Sequence, residues 1–281
     1  MGIKDLLQDV EEQKEDVNVA FDADGILYLS CYKYQEGGNI ELMYVDFWKR
    51  ISAIENEIWR SYKIDEVIIA LTSKANFRDK LTDKWKADRK AKPESEMTEK
   101  QLKAHTIAKE LRGYVAQVKA LLHVRMTDSP SYTVMVDGKQ EADDKVIDLA
   151  HQGWVIVAMD SDVLHQSPTA VFNYHAKHWK WEHEGNTEQE IFESIIHLTI
   201  TGGHNGDFGI KGKGKAFANK FIAGLEDSAD TFNEWVALFP LPEDALMNYR
   251  LADCSQVKNG KVKLASIKSI SESFDKFYGK F

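Results

Sequence analysis

The chain has 281 residues, 43% hydrophobic and 29% charged, with 36 Lys and Arg against 45 Asp and Glu, for a formal net charge of −9. Such a length holds a sizeable core in one large or two small domains, and the composition fits a soluble globular protein. No apolar run reaches the roughly 20 residues of a membrane span, and residues 1–16 are too charged for a signal peptide. Cys31 and Cys254 are far apart and form no metal or disulfide spacing, which implies a reducing, intracellular (cytoplasmic) setting.

In chain order, the apolar runs VNVAF (17–21), EVIIAL (66–71) and WVIVAM (154–159) are short, rich in β-branched residues and followed by polar ones, as buried strands are. Residues 44–62 and 98–123 between them have helical periodicity. The second helix is expected to open on a Thr98…Gln101 capping box and to bury Leu111, Val115, Val118 and Leu122 on one face. Alternating strands and helices imply an α/β fold with a mostly parallel sheet. From about residue 186 the pattern turns helical, beginning at a second box, Thr187…Glu190. In the C-terminal part Trp235, Phe239 and Phe274 look like packing residues.

Charge is unevenly spread. Arg78, Lys80, Lys84, Lys86, Arg89, Lys90 and Lys92 form one basic stretch, and Lys211, Lys213, Lys215 and Lys220 a second. Acidic groups fall just after strands or at helix starts: Asp22 and Asp24 in FDADG, Glu141, Asp143 and Asp144 in QEADD, and Asp160 and Asp162 in MDSD. In open parallel sheets, sites form beyond the carboxyl ends of the strands. If neighbouring strands bring these carboxylates together, they repel one another unless cations intervene, and Mg²⁺ or Mn²⁺ are the natural occupants. Phosphodiester hydrolysis suits such a site. For each pair, a plain helix-capping role is the alternative. FDADGIL also resembles the opening motif of haloacid-dehalogenase-type phosphatases, with IALTS (69–73) resembling their second, although that leaves the basic stretch and the glycine-rich segment unexplained.

Five segments in order, FDADGILYLSC, ALTSKANFRDKLTDKWKADRKAKP, QEADDKVIDLA, VAMDSDVLHQ and TGGHNGDFGIKGKGK, resemble the 5′-nuclease superfamily, which includes flap endonucleases and bacteriophage 5′→3′ exonucleases. They cover residues 19 to about 220. The resemblance implies a PIN-like core over residues 1–196 with a helical arch at about 78–122, and a helical region with a helix–hairpin–helix turn over 197–281. It implies one or two Mg²⁺ (or Mn²⁺) ions held by Asp22, Asp24, Glu141, Asp143, Asp144, Asp160, Asp162 and, near the hairpin, Asp207. Lys86 and Arg89 would hold the scissile phosphate, and Arg78, matching the family's arginine after the second strand, would be catalytic with them. Gly209, Gly212, Lys213, Gly214 and Lys215 would bind a duplex phosphate, with a potassium ion at the hairpin. The expected partner is DNA with 5′ ends, flaps or nicks, or RNA in RNA–DNA hybrids, in a phage-infected host cell. Three departures bear on the second ion: Ser73 stands where the family has an aspartate, and Gly203 and Asn205 replace the carboxylates before the hairpin, beside His204. A nuclease-deficient protein that binds branched DNA is therefore the contrasting expectation.

Overall fold

The computed structural model describes residues 14–72, 77–82, 95, 97–126, 131–137, 140–175, 179–202, 208–258 and 261–279. Ser73, Lys86, Arg89, Gly203, His204, Asn205 and Asp207 lie outside them.

Six strands form one sheet in the order β3-β2-β1-β4-β5-β6. They are β1 (Asp16–Asp22), β2 (Lys63–Thr72), β3 (Tyr132–Asp137), β4 (Val155–Ala158), β5 (Val171–Asn173) and β6 (Lys180–His183). All neighbours pair in parallel except β5 and β6. The central strand β1 is buried on both faces because alternate side chains enter different layers. Val19 and Phe21 pack with α1 (Asp24–Lys33), α2 (Ile40–Ile58) and α4 (Glu99–Met126), whereas Ala20 faces α5 (Ala142–Ala150) and α6 (Ser161–Gln166). A short helix, α3 (Arg78–Leu81), precedes α4.

The three apolar runs read as strands are β1, β2 and β4. The helix expected at 44–62 begins earlier and ends earlier, because Asn39 caps it by accepting from the Leu42 amide at 3.1 Å. The Thr98…Gln101 box is formed, and Leu111, Val118 and Leu122 are buried with Val115 beside them.

Beyond the sheet, α7 (Glu188–Thr201), α8 (Lys215–Leu225), α9 (Thr231–Val236), α10 (Pro242–Ala252) and α11 (Ile267–Tyr278) enclose a separate apolar cluster. Trp235 lies at its centre, fully buried, and donates its indole N–H to Thr199 Oγ1 at 3.1 Å. Phe239 and Phe274 pack against it, as expected from the sequence. The expected boundary at 196/197 falls inside α7, whose residues Ile191, Phe192, Ile195, Ile196 and Ile200 belong to this cluster. After α10 the chain returns to the sheet. Cys254 packs beside α5, and Gln166 accepts from the Cys254 amide while donating to the Ala252 carbonyl. Both cysteines are buried and free. Among the described residues, no helix is long and apolar enough to cross a membrane.

Candidate active site

The acidic groups gather at the carboxyl edge of the sheet because the strands they follow, β1, β3 and β4, all run parallel within it. Asp22 is the last residue of β1, and α1 starts two residues later at Asp24. Gly25 has a steric reason: a Cβ there would lie 2.7 Å from Tyr174 Oη and 2.8 Å from Met159 Cε. Its absence lets the Tyr174 hydroxyl donate to the Asp22 carbonyl oxygen at 2.9 Å. Asp160 caps α6 after β4, accepting from the Asp162 amide at 3.2 Å. Glu141 stands at the N-cap of α5, where its amide donates to Asp144 Oδ2 at 3.1 Å. The end of β2 is tied to the same helix, with Thr72 Oγ1 accepting from the Ala142 amide at 2.9 Å.

Asp22 is only 5% exposed, and its Oδ1 is buried with no hydrogen-bond partner. Burial first, then the charges of Asp24, Asp160 and Glu141, push its carboxyl up to about 8. Asp143 is raised well above the usual carboxylate range for the same reasons, burial leading and Asp22, Glu141 and Asp160 following. These four side chains, Asp22, Glu141, Asp143 and Asp160, thus share one electrostatic neighbourhood.

Several expected ligands are engaged by the chain itself: Glu141 Oε2 lies 3.8 Å from the Arg78 guanidinium. Asp144 is fully buried and receives both arms of the Arg78 guanidinium, at 2.6 and 2.7 Å. Asp24 accepts from Lys119 Nζ at 2.7 Å and from the Thr72 amide. Among the described residues, no three His, Cys, Asp or Glu side chains stand close enough to hold a metal ion as arranged.

Arg78, expected among the catalytic residues, is turned into the interior. It is 2% exposed, and besides Asp144 it donates to the carbonyls of Leu251 and Asp253 at 3.3 Å each. Burial works against its charge, but Asp144, beside it, more than offsets this and raises its pKa. A guanidinium forked onto a buried carboxylate is committed to the interior.

Sequence reasoning did not find Lys119, Thr72 or Tyr174. Lys119 had a signal: it lies four residues after Val115 and three before Leu122, so it points along the buried face of α4. Thr72 and Tyr174 had none.

The glycine segment forms a turn between α7 and α8. The Ile210 amide donates to the Ile200 carbonyl, and the Lys213 amide to the Ile210 carbonyl. A Cβ on Gly209 would lie 2.3 Å from the Gly202 nitrogen, so only glycine passes there. Gly212 has φ +80°, a region that disfavours other residues. Gly214 is different: it caps α8 with no side-chain cap, and a Cβ there would meet nothing within 4 Å. Lys211, Lys213 and Lys215 are exposed, and Lys213 Nζ lies 3.9 Å from the Phe217 ring centre.

The chemistry of the neighbouring carboxylates suits a hard divalent cation. Asp22, Glu141, Asp143 and Asp160 supply oxygen donors, and the orphaned Asp22 Oδ1 is a buried acceptor with nothing in the chain to meet it.

No protein-family model and no curated sequence matches the chain. Among solved structures, T5 5′-exonuclease with bound zinc aligns at TM-score 0.55 and 14% identity over 94% of this chain and all of that one, at 100%. T5 D15 protein co-crystallised with metal ions aligns at TM-score 0.55 and 14% identity over 86% of this chain and 90% of that one. The catalytic core of Rad2 in complex with DNA substrate aligns more loosely, at TM-score 0.48 and 17% identity over 84% of this chain and 70% of that one. With its mostly parallel six-stranded sheet flanked by helices, this chain has a PIN-like α/β fold, the fold it shares with the T5 5′-exonuclease structures.

Proposed function

We propose that this protein is a divalent-metal-dependent 5′-nuclease that hydrolyses phosphodiesters of DNA near 5′ ends or flaps. The observation that carries the reading is the buried, unpartnered Asp22 Oδ1 among Glu141, Asp143 and Asp160. A bound Mg²⁺ or Mn²⁺ supplies Lewis acidity and an activated water at neutral pH. Asp22, Glu141, Asp143 and Asp160 would hold and orient that ion, and Asp162 stands in the first turn of α6. Arg78 and Tyr174 act as positioning residues, the first by fixing Asp144 under the start of α5 and the second by fixing the end of β1. Lys86 and Arg89 are assigned to the scissile phosphate by family resemblance. The exposed lysines and the open α8 N-terminus at Gly214 hold a duplex phosphate without reading sequence.

The test incubates labelled 5′-flap and recessed-end duplexes with Mg²⁺, Mn²⁺ or a chelator. Metal-dependent release of short 5′ products is expected; metal-independent cleavage or none at all overturns the reading. A second reading, a protein that grips branched DNA without cutting it, is favoured by the internal pairing of Asp24 and Asp144. Tight binding with no cleavage in any metal would establish it.

A further inference from the structure

Two short strands stand apart from the main sheet: β7 (Val257–Lys258) and β8 (Lys261–Val262) form an antiparallel ribbon after α10. Its base is fixed. The buried Gln256 donates from Nε2 to the Arg250 carbonyl at 2.8 Å and accepts at Oε1 from the Ala265 amide at 3.1 Å. Its own carbonyl accepts from the Lys263 amide at 2.7 Å, and Val257 is buried beside it. The ribbon is therefore a held platform.

One face of that platform is basic. Lys258 lies directly opposite Lys261 in the ladder, and Lys263, two residues further, falls on the same face. All three are exposed. Like charges placed directly opposite destabilise a strand pair, and among the described residues none of the three lysines is paired with a carboxylate. The surrounding acids have partners of their own. Burial, then the charge of Lys258, holds the His151 imidazole at the end of α5 below its ordinary range, and Asp253, Asp148 and Glu188 act on the same ring. Of these, Glu188 pairs with Lys276, Asp148 lies 3.8 Å from Lys145, and Asp253 accepts from the Ser255 amide and hydroxyl.

The ribbon is distinct from the glycine turn. The turn follows the end of α7, where the Ile210 amide meets the Ile200 carbonyl, whereas Lys258 shares its neighbourhood with Glu188 at the start of that helix. The 14 residues of α7 measure about 21 Å, a length that about six base-pair steps of a duplex cover. Three point charges on flexible stems suit closely spaced phosphates, whose recognition needs no sequence.

We propose that the β7–β8 ribbon is a second phosphate-binding site, in which Lys258, Lys261 and Lys263 grip the backbone of a DNA duplex held at the glycine turn. This rests on the DNA-binding part of the reading above and not on its metal chemistry.

The experiment measures duplex binding to the full chain by fluorescence anisotropy in a chelator, across a salt series, with thermal unfolding of each variant. Wild type is expected to bind, more weakly as salt rises. Lys258→Gln/Lys261→Gln/Lys263→Gln should weaken binding about tenfold at low salt and reduce the salt slope by about 2–3, alike for all sequences. The corresponding triple Arg variant should keep both. Adding Lys213→Ala/Lys215→Ala to the triple Gln variant should lower the slope further, as separate contacts on one duplex do. Lys258→Glu sets an opposite charge across from Lys261, so it should raise the melting temperature while lowering DNA affinity; that result separates lost binding from lost fold. An unchanged slope in the triple Gln variant, lost binding in the triple Arg variant, no further change in the combined variant, or unchanged affinity in Lys258→Glu each overturn the inference. No duplex binding by wild type overturns the DNA reading along with it, whereas wild-type binding that the triple Gln variant matches overturns this inference alone.

Discussion

The acidic crevice and the glycine hairpin both concentrate charge of one sign, but they treat it oppositely. In the crevice, Asp22, Glu141 and Asp144 are buried, and only some of the acids meet a cation from the chain. At the hairpin, Lys211, Lys213 and Lys215 stand in solvent. Charge left in water has little cost and acts only when a partner arrives. Charge taken out of water must be met inside the fold or by an ion from outside. Substitutions of the buried crevice groups should therefore disturb stability as well as chemistry, whereas those of exposed groups should leave the fold alone and disturb chemistry or binding.

The largest effect is expected at Arg78. Arg78→Ala strands Asp144 without its partner and should cost about 3–5 kcal/mol of stability, measured by denaturant unfolding. Replacing the pair jointly by Met and Leu should recover most of that loss. Equal losses for the single and joint variants would show that the ion pair is not what Arg78 contributes.

Asp160→Asn comes next. Asp160 is exposed, so stability should hardly change, while flap cleavage should fall by about 10³-fold, or roughly 4 kcal/mol of transition-state stabilisation. DNA binding should survive. Unchanged turnover would remove Asp160 from the site.

A third effect follows from Asp22, whose carboxyl sits at about 8 in the metal-free fold against an ordinary 3.8. Between those values the folded chain holds a proton that the unfolded chain has released, so raising the pH lowers stability, by up to about 1.4 kcal/mol per pH unit. Metal-free wild type should lose melting temperature across that window relative to Asp22→Asn, and Mg²⁺ should restore more of it at the alkaline end. Parallel pH curves for the two proteins would contradict the burial argument.

The smallest effects on the fold belong to the hairpin. Replacing Lys213 and Lys215 by Ala should weaken duplex binding alike for all sequences and reduce the salt slope by about 2. Gly214→Ala has room for its methyl and an ordinary φ of −98°. Stability should therefore move by less than about 0.5 kcal/mol, while DNA affinity falls because the methyl covers the α8 amides. A variant that binds DNA normally would remove Gly214 from the interface.

The sequence made legible what local pattern dictates. Strands β1, β2 and β4 are continuous apolar runs, and both capping boxes announce their helices. The acids at the strand ends follow from the same parallel order. Strand β3 was missed because it lies at the sheet edge, where its side chains are partly exposed and no clean apolar run forms. Strand β5 is only three residues long. The destinations of Arg78, Lys119 and Tyr174 were hidden for a different reason: their partners lie 66, 95 and 152 residues away. Resemblance placed Arg78 among the catalytic residues; the carbonyls of Leu251 and Asp253 and the carboxylate of Asp144 hold it in the interior.

Those two carbonyls have a bearing on how the chain is made. They lie 173 and 175 residues beyond Arg78, whereas Asp144 is 66 beyond it. On a ribosome, all six strands of the sheet emerge first and can pair while Arg78 and Asp144 are still wet. The ion pair is sealed only after residue 253 has emerged and α10 has folded back. A nascent chain stalled just before that point carries the acids of the crevice on a floor still open to water. Such long-range closure is slow, so the floor of the crevice is completed after the sheet and not with it.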